Sequence, residues 1–252
     1  MISPDVVLNI ALNEEGYLEK SKSAYAANKN IIYEKTTGAG SDNYTKYGKE
    51  MHDILPSVMD FPASWCDAFV DWCFMKAYGA EVAKALLCGN FDDYTVNSAG
   101  YYKKAGRFFT KNPVVGDQIF FKNSQRICHT GLIYKVDKKH IYTIEGNTSS
   151  KGVLVPNGGG VFNKVYLHTY KNIAGFGRPK YDVRAVCQLG DNNEDVKYLQ
   201  TRLMSKGYPL PKYGADGDFG EETFRAVKQF RNENGLRSSG TCDAECWARL
   251  EG

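Results

Sequence analysis

Seven cysteines and four histidines set the chemistry open to this chain. A thiol that hydrolyses an amide needs three things: a thiolate to attack, an imidazole to shuttle the proton, and a polar group to orient the imidazole. With so many pairings, position must decide. Cys66 falls in the first turn of a predicted helix that starts near Trp65. Unpaired backbone N–H groups and the helix dipole favour a thiolate at such a place. Asp67 next to it works weakly against this. His129 opens a predicted strand just after the loop from Lys122 to Cys128, and Glu145 and Asn147 close the following strand. If Asp137, Lys138 and Lys139 form a three-residue turn, Val136 pairs with His140. His129 then faces Asn147, and Glu145 is a diagonal neighbour on the same face. A two-residue turn flips the parity unless a bulge intervenes. The spacing therefore permits a Cys66, His129 and Glu145 or Asn147 constellation without forcing it.

The other candidates carry less. Cys73 lies seven residues beyond Cys66 and reads as core. Cys128 adjoins His129, so strand alternation is expected to turn it to the opposite face. Cys242 and Cys246 can touch on a helix, but a zinc site wants four ligands and only these two are close. His140 sits at a turn, and His52 and His168 lack a neighbouring motif, so all three are assigned to the surface.

The elements that must position these residues follow from the pattern of apolar positions. Ser3-Pro4 ahead of Val6, Val7, Ile10 and Ala11 reads as a capped helix. Residues 20–62 are polar and read as loops with short helices. Ser64-x-x-Asp67 resembles a capping box, with Asp in place of Glu, and Gly79 fits the end of the helix it starts. A second helix covers roughly 92–105. From Pro113 the period becomes that of strands: 118–122, 130–136, 140–145, 152–155, 161–167 and a last one over 173–179. Helices first and a meander of strands afterwards indicate an α+β domain. The pattern breaks near 180–188. Three amphipathic helical segments follow, near 193–206, 220–233 and 243–250.

Bulk properties agree with a two-domain globular chain. The 252 residues are 42% hydrophobic and 24% charged, close to the average for soluble domains. A net charge of +3 does not suggest a nucleic-acid partner. No apolar run approaches the ~20 residues needed to span a bilayer. The N-terminus lacks a basic segment and a small-residue cleavage site, so no secretory signal is expected.

Four pieces together resemble the CHAP family of cysteine, histidine-dependent amidohydrolases and peptidases. These are Trp65-Cys66-Asp-Ala-Phe-Val70, Gly116-Asp117-Gln-Ile-Phe-Phe121, His129-Thr-Gly-Leu-Ile-Tyr134 and Ile144-Glu-Gly-Asn147. The resemblance covers roughly 40–178. It implies a papain-like fold, with helices packed on an antiparallel sheet. It makes Cys66 the nucleophile, His129 the general base and Glu145 the orienting group, with Asn147 supporting the imidazole or the oxyanion. Departures exist. The residues before the nucleophile, Ala63, Ser64 and Trp65, include no Gln, so the second oxyanion donor is unidentified. Asp42, Asp53 and Asp60 are too scattered for a calcium loop, and no metal or other cofactor is expected. The related NlpC-type peptidases more often use a second histidine as the third residue, which favours CHAP here.

Leu189-Gly-Asp, Asp216-Gly-Asp-Phe-Gly220, Thr223-Phe-Arg-Ala-Val-Lys-Gln-Phe230, Asn234-Gly-Leu236 and Trp247-Ala-Arg-Leu250 resemble a small three-helix peptidoglycan-binding domain. The expected organisation is a catalytic domain over 1–180 and a wall-binding domain over 188–252. Any glycan contact is expected from exposed loop residues such as Tyr213 or Asp216. Together the two resemblances imply a monomeric peptidoglycan hydrolase, an endolysin or autolysin. It would be made in the cytoplasm and act at the bacterial cell wall. Its partner would be peptidoglycan, with no nucleic acid and no membrane insertion. The alternatives are a cysteine peptidase acting on protein and a non-catalytic wall-binding protein.

Overall fold

The computed structural model describes residues 2–150, 158–181, 184 and 186–251. The chain divides into two compact units, one of Ser3–Lys180 and one built on Tyr181–Gly252.

In the first unit, α1 (Pro4–Asn13) starts on Ser3, whose hydroxyl accepts the N–H of Asp5. Short helices α2 (Lys22–Ala27) and α3 (Lys46–Ile54) follow, with a 3-10 turn over Lys29–Tyr33 between them. The central helix is α4 (Cys66–Tyr78). Its first nine residues, Cys66 to Phe74, are all buried. It packs against α1 and α3 and against two strands of the sheet, which is why its first turns are buried all round, Asp67 and Asp71 included, rather than amphipathic. Gly79, with φ +77°, ends α4 and at once begins α5 (Ala80–Leu86), a helix with no separate sequence signal. Helix α6 (Thr95–Lys104) completes the layer.

The described strands are β1 (Phe108–Phe109), β2 (Gln118–Lys122), β3 (Ile127–Val136), β4 (His140–Thr148), β5 (Gly160–Leu167) and β6 (Ile173–Gly177). They form one antiparallel sheet in the order β1-β6-β2-β3-β4-β5. The expected strand over 152–155 lies outside the described residues. The sheet's apolar face is filled by Ile119, Phe121, Ile133, Ile141, Tyr166 and Phe176.

Two expectations about local structure change. The turn between β3 and β4 holds four residues, because Val136 pairs with Ile141, not His140. The wrong parity this creates is corrected by a bulge between Ile133 and Lys135, after which Leu132 pairs with Ile144. The Ser64–Asp67 capping box is not formed. Trp65 is the N-cap of α4 and makes no side-chain cap bond, and Asp67 is used elsewhere.

In the second unit, α7 (Glu194–Ser205), α8 (Glu221–Glu233) and α9 (Ala244–Glu251) form the small all-α domain. Val196, Leu199, Leu203, Val227, Phe230, Trp247 and Leu250 make its core with Phe219 and the buried Cys187, Cys242 and Cys246. Asn193 caps α7 by accepting the N–H groups of Asp195 and Val196. Gln200, nearly fully buried, ties the loop before α8: its amide donates to Asp216, Asp218 and Thr223 and accepts the N–H of Gly217.

Candidate active site

Cys66 stands at the first position of α4, at the helix tip that faces the sheet. Three tethers fix that tip. Asp67, fully buried, accepts the hydroxyl of Ser98 on α6 and the amide of Gln118 on β2, the latter at 3.1 Å. Gln118 also donates to Thr130 on β3. Trp65 donates its indole N–H to the buried carboxylate of Glu19 at 2.8 Å. One turn further on, Asp71 accepts the backbone N–H of Asp92. Burial pushes the Asp67 carboxyl up to about 7 and raises Asp71 too, with each carboxylate opposing ionisation of its neighbours.

Across from this tip, β3 and β4 present His129 and Glu145, both fully buried. Nε2 of His129 meets Oε2 of Glu145 at 2.9 Å. Glu145 also accepts the hydroxyls of Thr143 and, at 3.3 Å, Tyr166. With Nε2 occupied, the ring nitrogen left for Cys66 is Nδ1, which completes no hydrogen bond among the described residues. Burial by itself lowers the proton affinity of the ring. The thiolate of Cys66 and the carboxylate of Glu145 outweigh it and lift the pKa to about 9. This environment favours the imidazolium form of His129.

Two glycines make the approach possible. A Cβ at Gly131 would lie 2.5 Å from Cγ of Glu145, so this position keeps the carboxylate's path across β3 open. A Cβ at Gly146 would lie 2.5 Å from Cβ of Phe69 and 2.9 Å from Trp65, so β4 can touch the start of α4 only with glycine there.

Cys66, His129 and Glu145 are thus brought together, but Asn147 is not. Its side chain is buried, and among the described residues neither amide atom has a hydrogen-bond partner. The backbone explains this. Asn147 has φ +55° where the pairing of β4 with β5 shifts register, so strand alternation no longer directs it at His129. The expectation for Cys128 is also corrected. Phe121 pairs with His129 but Lys122 pairs with Ile127, so Cys128 is the bulged residue. It lines the same cleft as Cys66.

That cleft, of about 350 Å³, is lined by Ala63, Ser64, Cys66, Asp93, Tyr94, Thr95, Asn123, Arg126 and Cys128. Arg126 was not legible as a site residue, because a loop without a period carries no face assignment; Asp93 and Tyr94 fall in the helix expected over 92–105 but lie before its observed start at Thr95. Cys73 is fully buried, as expected of core. In the second unit, Tyr213 and Asp216 border a larger cavity of about 710 Å³ with Tyr208, Lys212 and Glu222.

With this geometry in place, comparison with known families assigns the parts. Residues 58–147 match the CHAP domain, and residues 192–250 match a putative peptidoglycan binding domain. The chain therefore carries a CHAP domain followed by a domain of the peptidoglycan-binding type. Among named proteins, it is 44% identical over 55 residues to a probable N-acetylmuramoyl-L-alanine amidase of Bacillus licheniformis, covering 22% of this chain and 16% of that protein. The same organism's N-acetylmuramoyl-L-alanine amidase CwlL is 42% identical over 55 residues, or 22% of this chain and 15% of that protein. The chain thus spans about a sixth of the length of the curated relatives it matches. Among solved structures, the N-terminal domain of SleB is 36% identical, covering 26% of this chain and 88% of its own, at a TM-score of 0.25. A Burkholderia AP3 phage endolysin is 33% identical, covering 27% of this chain and 25% of its own, also at 0.25.

Proposed function

We propose that this chain is a peptidoglycan hydrolase, an N-acetylmuramoyl-L-alanine amidase or a peptidoglycan endopeptidase, that cuts an amide bond of the wall peptide with Cys66. The observation that carries the reading is the divided imidazole of His129. One nitrogen is held by a buried carboxylate and the other is left for a thiol at a helix tip. In this reading the Cys66 thiolate adds to the amide carbonyl. The backbone N–H of Cys66, at the uncapped start of α4, is a donor for the oxyanion. His129 protonates the leaving amine and then draws a proton from the water that releases the acyl group. Glu145 holds the ring and stabilises its charge. Asn147 has no bond to the imidazole and enters this reading only through the backbone bend at the end of β4.

The substrate class rests on the second domain. A thiol hydrolase fold does not name its substrate. A module of the peptidoglycan-binding type supports the wall polymer, because tethering raises the effective concentration of enzyme at the polymer. We read 1–180 as the catalytic part and 188–252 as the wall-binding part. The test is Cys66→Ala. It is expected to abolish release of fragments from purified walls while sedimentation with those walls persists. Normal lysis by Cys66→Ala would refute the thiol mechanism. Mass spectrometry of the released fragments identifies which amide is cut.

A further inference from the structure

The cleft beside Cys66 is lined by a cation, Arg126, that among the described residues has no carboxylate partner. The turn that follows β2 is built to present it. Asn123 Oδ1 accepts the N–H groups of Gln125 and Arg126 at 2.8 and 2.9 Å, and the Asn123 N–H donates to the Arg126 carbonyl at 3.0 Å. The Arg126 guanidinium is fixed as well. Nη1 donates to the Ile127 carbonyl at 2.9 Å, and the group lies 5.0 Å from the centre of the Tyr94 ring. Thr95, next to Tyr94 on α6, donates to the same carbonyl at 3.1 Å. Among the described residues no carboxylate is within ion-pair distance of Arg126. With Nη1 committed to Ile127, the Nη2 and Nε donors remain, the pair that matches the two oxygens of a carboxylate. Asp93, which lines the same cleft, is held separately by the N–H of Asp60.

We propose that Arg126 is a specificity-determining residue that binds a free carboxylate of the wall peptide close to the scissile amide. The preferred substrate is then an anionic peptide rather than its amidated counterpart. The inference rests on the hydrolase reading above and deepens it. A guanidinium already stacked and hydrogen-bonded loses little freedom on binding, so its contact serves to place the carbonyl over Cys66.

The test compares purified walls with the same walls after carbodiimide coupling to ammonia, which turns their carboxylates into carboxamides. The wild-type enzyme is expected to lose roughly tenfold in kcat/KM on amidated walls, the scale of one charge-assisted pair at a partly exposed site. Arg126→Gln is expected to lose about the same on native walls and less than about twofold more on amidation. Arg126→Lys, which keeps the charge but not the fork, is expected to fall between. Sedimentation of Cys66→Ala with both wall preparations corrects for any change in binding by the second domain. If Arg126→Gln loses as much on amidation as the wild type does, or matches it on native walls, the proposal is overturned. If the wild-type enzyme releases nothing from native walls, it is the hydrolase reading itself that fails.

Discussion

Replacing Glu145 by Gln separates orientation from charge at the imidazole. The amide keeps the size of the carboxylate and can still accept from Thr143 or Tyr166, so the sheet should fold unchanged. What is lost is a full negative charge 2.9 Å from Nε2 in a site closed to solvent. An opposite charge within about 4–6 Å moves a pKa by about 1–3 units. The His129 value of about 9 reflects both Glu145 and Cys66, so removing one of them should lower it by about 1–2 units, or about 1.4–2.7 kcal/mol. The sign follows from the raised value. The imidazolium persists up to about pH 9 in the wild type and is lost as pH rises through that value. In Glu145→Gln the loss should begin nearer neutrality. An amide that donates to Nε2 also forces the tautomer with its proton on Nδ1, facing the thiol, so wall solubilisation should fall about 10²–10⁴-fold. Following the His129 ring C–H resonances by NMR against pH reads the first effect, and release of dye from labelled walls reads the second. A ring titration that stays at about 9 in Glu145→Gln would refute the assignment of the shift to this carboxylate.

Further outcomes follow from neighbouring residues. Gly146→Ala forces a Cβ against Phe69 and Trp65 and should destabilise the first unit by about 1–3 kcal/mol in urea unfolding. An unchanged midpoint would mean that β4 and α4 can separate freely. Asp67 is raised to about 7 by burial, so it favours the fold most when protonated. Its contribution should erode as pH rises from the ordinary aspartate range near 4 towards about 7, and stay low above it. The stability of Asp67→Asn relative to the wild type should therefore improve between about pH 5 and about pH 8; a constant difference would place the titration elsewhere. Residues 1–187 alone should keep cleaving walls but sediment with them poorly, and equal binding by the shortened chain would remove the targeting role of the second domain.

Much of the site was legible because its parts are local. Cys66 at a helix start, His129 near the start of β3 and Glu145 near the end of β4 are each fixed within a few residues of chain. What was hidden is long-range or aperiodic. Asp67 satisfies a capping-box pattern within its own turn, yet Ser98 and Gln118, 31 and 51 residues away, take its carboxylate. Strand β1 has two residues, too few to show an alternation. Helix α5 begins where Gly79 signals an end, since one glycine with positive φ serves both helices. The cleft residue Arg126 sits in a turn, where no periodicity assigns a direction, and Asp93 lies ahead of a helix that begins at Thr95 rather than at 92.

The bulge in β3 has a consequence for how such a protein can change. Strand geometry is unforgiving of odd steps, and a single inserted residue inverts every side chain beyond it. Here the hairpin end of β3 and β4 and the end that bears His129 and Glu145 run on different counts, reconciled around Tyr134. An insertion or deletion in the Asp137–His140 loop can thus be absorbed by gaining or losing this kink. The imidazole and carboxylate would keep their orientation while the outer end of the hairpin changed length.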